Sequence, residues 1–162
     1  MKHFLRPLPL VLGLLLLAAA ALAQPAASKL APPGKGDKCP VCGMFVAKYT
    51  DWLAYAVLAD GKVLYFDGPK DMFRFAADPA HYLPGFKKEQ ITALYVSEFY
   101  SVKPLPAQQA FYVVGSDAYG PMGHELVPLA TQADAEAFRK DHKGKRVLRF
   151  ADITPGLLKA LD

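Results

Sequence analysis

The chain has 162 residues and a formal net charge of +4, from 19 Lys and Arg against 15 Asp and Glu. That length suits one domain or two small ones. The basic excess is too small for a nucleic-acid surface, and its densest run, Lys143-Gly144-Lys145-Arg146, reads as a solvated turn before a strand.

Residues 1–23 read as a secretory signal peptide. Lys2 and Arg6 flank the start of an apolar run from Leu8 to Ala21, and Ala21-Leu22-Ala23 supplies a small-x-small cleavage site before Gln24. The run is short for a span of about 20 apolar residues, so no stable membrane anchor is expected. Residues 24–36, with Pro25, Pro32, Pro33, Gly34 and Gly36, read as a flexible tether, and the fold is expected to start near Asp37. Trp52–Ala59 and Val63–Phe66 are apolar runs joined by Asp60-Gly61, two residues that tolerate positive φ, which predicts a hairpin. Asp67-Gly68-Pro69 ends it. Asp67 is placed to cap the next helix, with Pro69 in its first turn. Met72, Phe73, Phe75 and Ala76 give that helix an apolar face, and it should stop before Asp78-Pro79. Ile91–Tyr100 reads as a long strand.

The second half repeats this order. Ala110–Gly115 is a strand, and Glu125–Leu129 is a short one whose Pro128 suggests a sheet edge. Thr131 caps a helix running through Lys140, with Asp134 close to completing a capping box. Lys145–Phe150 closes the unit, and Ile153–Leu161 forms a short terminal helix. The expected fold class is α+β: two small β-β-α-β units, residues 37–103 and 104–162, packed together because each is too small to bury a good core alone.

Two runs carry the chemistry. Cys39-Pro40-Val41-Cys42-Gly43-Met44 holds both cysteines of the chain, and Gly120-Pro121-Met122-Gly123-His124 sets a methionine among Gly and Pro, outside any helical or strand period. Two cysteines three apart close a very small loop and make a poor staple, although a local disulfide stays open in an exported protein. A zinc ribbon needs a second cysteine pair, and haem attachment needs His where Gly43 stands. A redox CxxC should follow a strand and open a helix, whereas this one follows a Pro/Gly tether. Thiolate, thioether and imidazole together suit Cu(I), a soft ion. If the second run is extended, Met122 and His124 lie two apart and share a face. His81 and His142 read as solvated or structural, and Met72 as core.

CPVCGMFV, YFDGPKDMF, AFYVVGSDAYGPMGHEL and DAEAFRKDHKGKRVLRF, in this order, resemble the NosL family of nitrous-oxide reductase accessory proteins. The resemblance implies a periplasmic Cu(I)-binding metallochaperone, not an enzyme, that supplies copper for the copper–sulfide centre of nitrous-oxide reductase or a related copper enzyme. It also implies a fold similar to organomercurial lyase. Partners would be a membrane transporter complex of the assembly machinery, the copper apo-enzyme, or both. Many family members are lipoproteins anchored through a cysteine after the signal; here Gln24 holds that position. The expected ligands are Cys42 and Met122, with Cys39, Met44 and His124 as further candidates. Two alternatives stand beside this reading. One is a thiol-disulfide redox protein working through Cys39 and Cys42. The other is a lyase-like enzyme, which lacks the third cysteine such chemistry needs.

Overall fold

The structure, a computed structural model, describes residues 30–162. The expected signal peptide and residues 24–29 of the expected tether lie outside the described residues. From Leu30 the chain is seated on the fold: Leu30 packs against the core, and the Tyr65 hydroxyl donates to the Ala31 carbonyl at 3.0 Å.

The first sheet begins with β1 (Ala54–Leu58) and β2 (Val63–Phe66), paired antiparallel with Ala54 opposite Phe66 and Val57 opposite Val63. Gly61 sits in the connecting turn at φ +82°, the conformation for which its sequence position argued. Helix α1 (Pro69–Ala77) follows, then the short α2 (Pro79–Tyr82). Strand β3 (Ile91–Ser97) returns along the free edge of β1, and β4 (Pro104–Pro106) extends the sheet, giving the order β2-β1-β3-β4. β3 is shorter than expected because residues 98–103 turn back into β4. The Glu98 amide donates to the Lys103 carbonyl at 2.9 Å, and the Glu98 carboxylate accepts from the Ser101 amide at 2.7 Å.

The second sheet has β5 (Phe111–Val114) at its centre, β8 (Val127–Leu129) on one side and β9 (Arg146–Arg149) on the other. A small hairpin, β6 (Tyr119–Gly120) and β7 (Gly123–His124), is inserted between β5 and β8. Helix α3 (Gln132–Asp141) joins β8 to β9, and α4 (Pro155–Lys159) ends the fold. In both sheets the first strand of the unit is central, its hairpin partner lies on one side, and the strand after the helix lies on the other. Pro128 does lie on an edge strand. That edge is covered: the Pro128 carbonyl accepts the Phe99 amide at 2.9 Å.

Strand alternation explains how the units join. On β5, Tyr112 and Val114 face the large core, which also holds Phe66, Met72, Phe75, Tyr95 and Leu126. Val113 faces the other way, into a smaller cluster with Val127, Leu129, Ala135 and Phe138 under α3. The second sheet is thus covered on both faces. Helix α1 is the contact between units, with the Phe73 ring edge-on to Tyr112 at 5.3 Å. Pro69, Lys70, Asp71, Met72, Phe73, Phe75 and Ala76 of this helix are all buried. A helix this deep is normally apolar all round, and charged residues are almost never fully buried unless paired. Asp71 is paired with Arg74 at 3.3 Å, whereas Lys70 comes no closer than 4.0 Å to a carboxylate oxygen, that of Asp162, among the described ion pairs.

Candidate metal centre

Residues 38–45 form a tight loop. Lys38 and Phe45 bridge across its base, the Cys39 amide donates to the Met44 carbonyl at 2.9 Å, and the Gly43 amide donates to the Cys39 carbonyl at 2.8 Å. Gly43 takes φ +77°, a value that costs a residue with Cβ and so favours glycine. The loop turns both thiols toward the start of α1. Cys39 is buried and Cys42 half-buried, and both are free thiols.

There they meet two carboxylates. The Cys42 thiol donates to Asp67 Oδ1 at 3.1 Å, and the Cys39 thiol donates to Asp71 Oδ2 at 3.4 Å. One ligand atom from each of Cys39, Cys42, Asp67 and Asp71 lies within 4.8 Å of the others. Asp67 Oδ2 is buried with no hydrogen-bond partner among the described residues. Burial pushes both thiols up, Cys42 to about 12, and the facing carboxylates add to the effect. At neutral pH this environment favours the thiol over the thiolate at both cysteines. A redox CxxC needs the reverse, a thiolate stabilised at a helix N-terminus or beside a cation, and this loop opens no α-helix.

From its neighbours alone, Asp67 is the expected cap of α1. Instead the N-cap residue of α1 is Gly68, which offers no side chain, and Asp67 is drawn into the thiol cluster. The cap comes from far along the chain. Glu125 Oε1 accepts the Lys70 amide of α1 at 2.7 Å and the Leu126 amide at 2.9 Å. The Glu125 carboxylate fits because Gly68 and Gly120 are bare: a Cβ on Gly68 would stand 2.3 Å from Glu125 Oε2, and one on Gly120 would stand 3.3 Å from it. Burial pushes Glu125 up to about 8 despite the two amide donors.

The second expected run is therefore tied to the same helix start. Lys70, its side chain only 2% exposed, donates from Nζ to the Met122 carbonyl at 2.9 Å and to the Leu161 carbonyl at 3.3 Å. Met122 itself is 44% exposed at the tip of the β6–β7 hairpin. The run turns at Gly123, φ +86°, instead of extending, so the two-residue spacing does not by itself place Met122 and His124 on one face. His124 is exposed and its ring lies 4.9 Å from that of Tyr119. Met44 is half-buried and contributes its carbonyl to the cysteine loop. Asp67 and Asp71 were missed as site residues. The available signal was two carboxylates flanking a helix start, Asp67 just before the N-cap residue Gly68 and Asp71 in the first turn.

The NosL family profile matches residues 31–158. The chain belongs to the NosL family. Its similarity to the copper-binding lipoprotein NosL of Stutzerimonas stutzeri is 35% identity over 131 residues, covering 76% of this chain. The match spans 65% of that relative's length, just under two thirds. The fold resembles the crystal structure of the copper chaperone NosL from Shewanella denitrificans with a TM-score of 0.65 at 28% identity, covering 82% of this chain and 99% of that one. The mixed α+β architecture with small antiparallel sheets is thus the NosL architecture, and the buried thiol–carboxylate cluster is a feature of a NosL-family chain.

Proposed function

We propose that this protein is a periplasmic Cu(I) chaperone whose cargo is held by Cys42 and Cys39 and completed by Met122, with Met44 and His124 as outer candidates. The observation that carries the reading is the convergence of Cys39, Cys42, Asp67 and Asp71 within 4.8 Å. Thiolates are the soft donors Cu(I) selects, whereas carboxylates suit harder ions. The carboxylates accordingly serve a different task. They hold the thiol hydrogens in the empty site, accept them as the ion enters, and lend negative charge that draws a cation inward.

The uneven burial of the two cysteines suits transfer. Cys39 is enclosed and gives a fixed anchor, while half-buried Cys42 is open to an incoming ligand from a partner. A partner thiolate or thioether can bond to the ion as Cys42 releases it, so copper never enters water. The copper-binding and chaperone descriptions of the two relatives support this reading, as does the export signal read at residues 1–23. The recipients are the assembly machinery or apo-form of a copper enzyme.

Anaerobic Cu(I) titration of the reduced protein against a chromophoric chelator tests the proposal. One Cu(I) per chain is expected, with tight binding lost in Cys42→Ser and Zn(II) unable to compete. Undiminished Cu(I) binding by Cys42→Ser would remove the thiol site. Disulfide turnover independent of Met122 would replace the chaperone with a redox protein.

A further inference from the structure

Lys70 has no evident task in packing. It is a full-length ammonium side chain, 2% exposed, in the middle of a buried helix turn. Its donors go to two neutral carbonyls, Met122 at 2.9 Å and Leu161 at 3.3 Å, and the nearest ion-pair oxygen, Asp162 Oδ1, is 4.0 Å away. Burying a charge on such terms is costly, because two carbonyl acceptors and a carboxylate 4.0 Å away return little of the hydration lost. A stability argument alone therefore does not account for it.

Its position does. Lys70 lies between Asp67 and Asp71, the two carboxylates that face Cys42 and Cys39. Its backbone amide is bonded to Glu125 and its side chain to the Met122 carbonyl, so one residue ties the helix start to both sides of the Gly123-His124 segment. The hairpin tip needs such a tie. It is a two-strand ribbon of four residues, β6 and β7, which is marginal in water without tertiary support. The first turn of α1 thus touches both runs: Asp67 and Asp71 on either side of it accept from the thiols, and Lys70 donates to the Met122 carbonyl.

We propose that Lys70 is the positioning residue that fixes the Met122 loop relative to the thiol pair, so that the thioether closes on an ion already held by the cysteines. This rests on the thiol pair being the copper site. On this view Lys70 touches neither ion nor thiol, and it acts only through Met122.

The test is a double-variant cycle with a metal-free control. Lys70→Met is expected to weaken Cu(I) binding by the same factor as Met122→Ala, on the order of tenfold as for other supporting residues of metal sites. The double variant should lose no more than either single one. X-ray absorption of the Cu(I) form should lose one sulfur neighbour in Lys70→Met. In the metal-free protein, amide exchange at Gly123 and His124 should speed up in Lys70→Met while β5 amides stay protected. Additive losses, or unchanged exchange at the hairpin, would overturn the proposal. So would wild-type hairpin amides that exchange at the rate of an unstructured chain, which needs no variant. Lys70→Gln, which shortens the donor and removes the charge, carries the same expectations should Lys70→Met fail to fold. Because hairpin exchange is read without copper, failure of the chaperone reading shows separately, as loss of Cu(I) binding in the wild-type titration.

Discussion

Helices α1 and α3 occupy equivalent places in the two β-β-α-β units, each following the edge hairpin strand and leading to the strand on the other side of the sheet. Their beginnings differ. Helix α3 is capped from within: Thr131 Oγ1 accepts the Asp134 amide at 3.1 Å, and its outer face is solvated, with Ala135 and Phe138 as its buried residues. Helix α1 has no cap of its own, is buried on nearly every side, and receives Glu125 from the other unit. The aspartate that could have capped it points at a thiol. Helix α3 shows ordinary helix-cap chemistry and supports the second sheet. Helix α1 has no local cap, and the aspartate beside its N-cap residue belongs to the thiol–carboxylate cluster.

If this division is right, damage to α3 should cost stability and spare copper, and damage near the start of α1 should do the reverse or couple the two. The largest stability effect is expected for Phe138→Ala. The ring is fully buried against Phe99 at 4.8 Å, and its loss should cost about 3–5 kcal/mol. Chemical denaturation reads that loss. Cu(I) affinity per folded molecule should stay unchanged, and a parallel fall in affinity would show that the two units are not separable.

Glu125→Gln addresses the helix with the borrowed cap. Burial raises the Glu125 carboxyl from 4.5 to about 8, so between those values the folded state holds a proton that the unfolded state has released. Stability from this group is full below about pH 4.5 and is lost as pH rises toward 8. Glutamine keeps an acceptor for the Lys70 and Leu126 amides and removes the titration. The melting temperature of Glu125→Gln, relative to wild type, should therefore climb across this window. Parallel curves for the two proteins from pH 4 to 9 would show that Glu125 does not carry the proton.

The smallest effect is expected at the local cap. Thr131→Ala should cost about 1 kcal/mol and leave both copper binding and the pH profile untouched. A Thr131 variant that altered copper affinity would mean that α3 is coupled to the thiol cluster.

What the amino-acid order settled by itself was everything held by neighbours. The Asp60-Gly61 turn, the start of α1 at Pro69, the Thr131 cap and the edge position of Pro128 all depend on residues within about four positions of one another, where φ preference and side-chain reach are decisive. The cysteine loop was legible for the same reason. The partners of its thiols were not, since Asp67 lies 25 residues from Cys42 and Asp71 lies 32 from Cys39. Asp67 next to Gly-Pro is locally a helix cap, and only the arrival of a buried thiol changes its use. Glu125 reaches the Lys70 amide across 55 positions, and Lys70 reaches the Met122 carbonyl across 52. Tertiary packing decided these contacts, because burying the start of α1 removed water from its polar groups; Asp71 keeps a local partner in Arg74 at 3.3 Å, while the Lys70 amide and ammonium find theirs in distant parts of the chain.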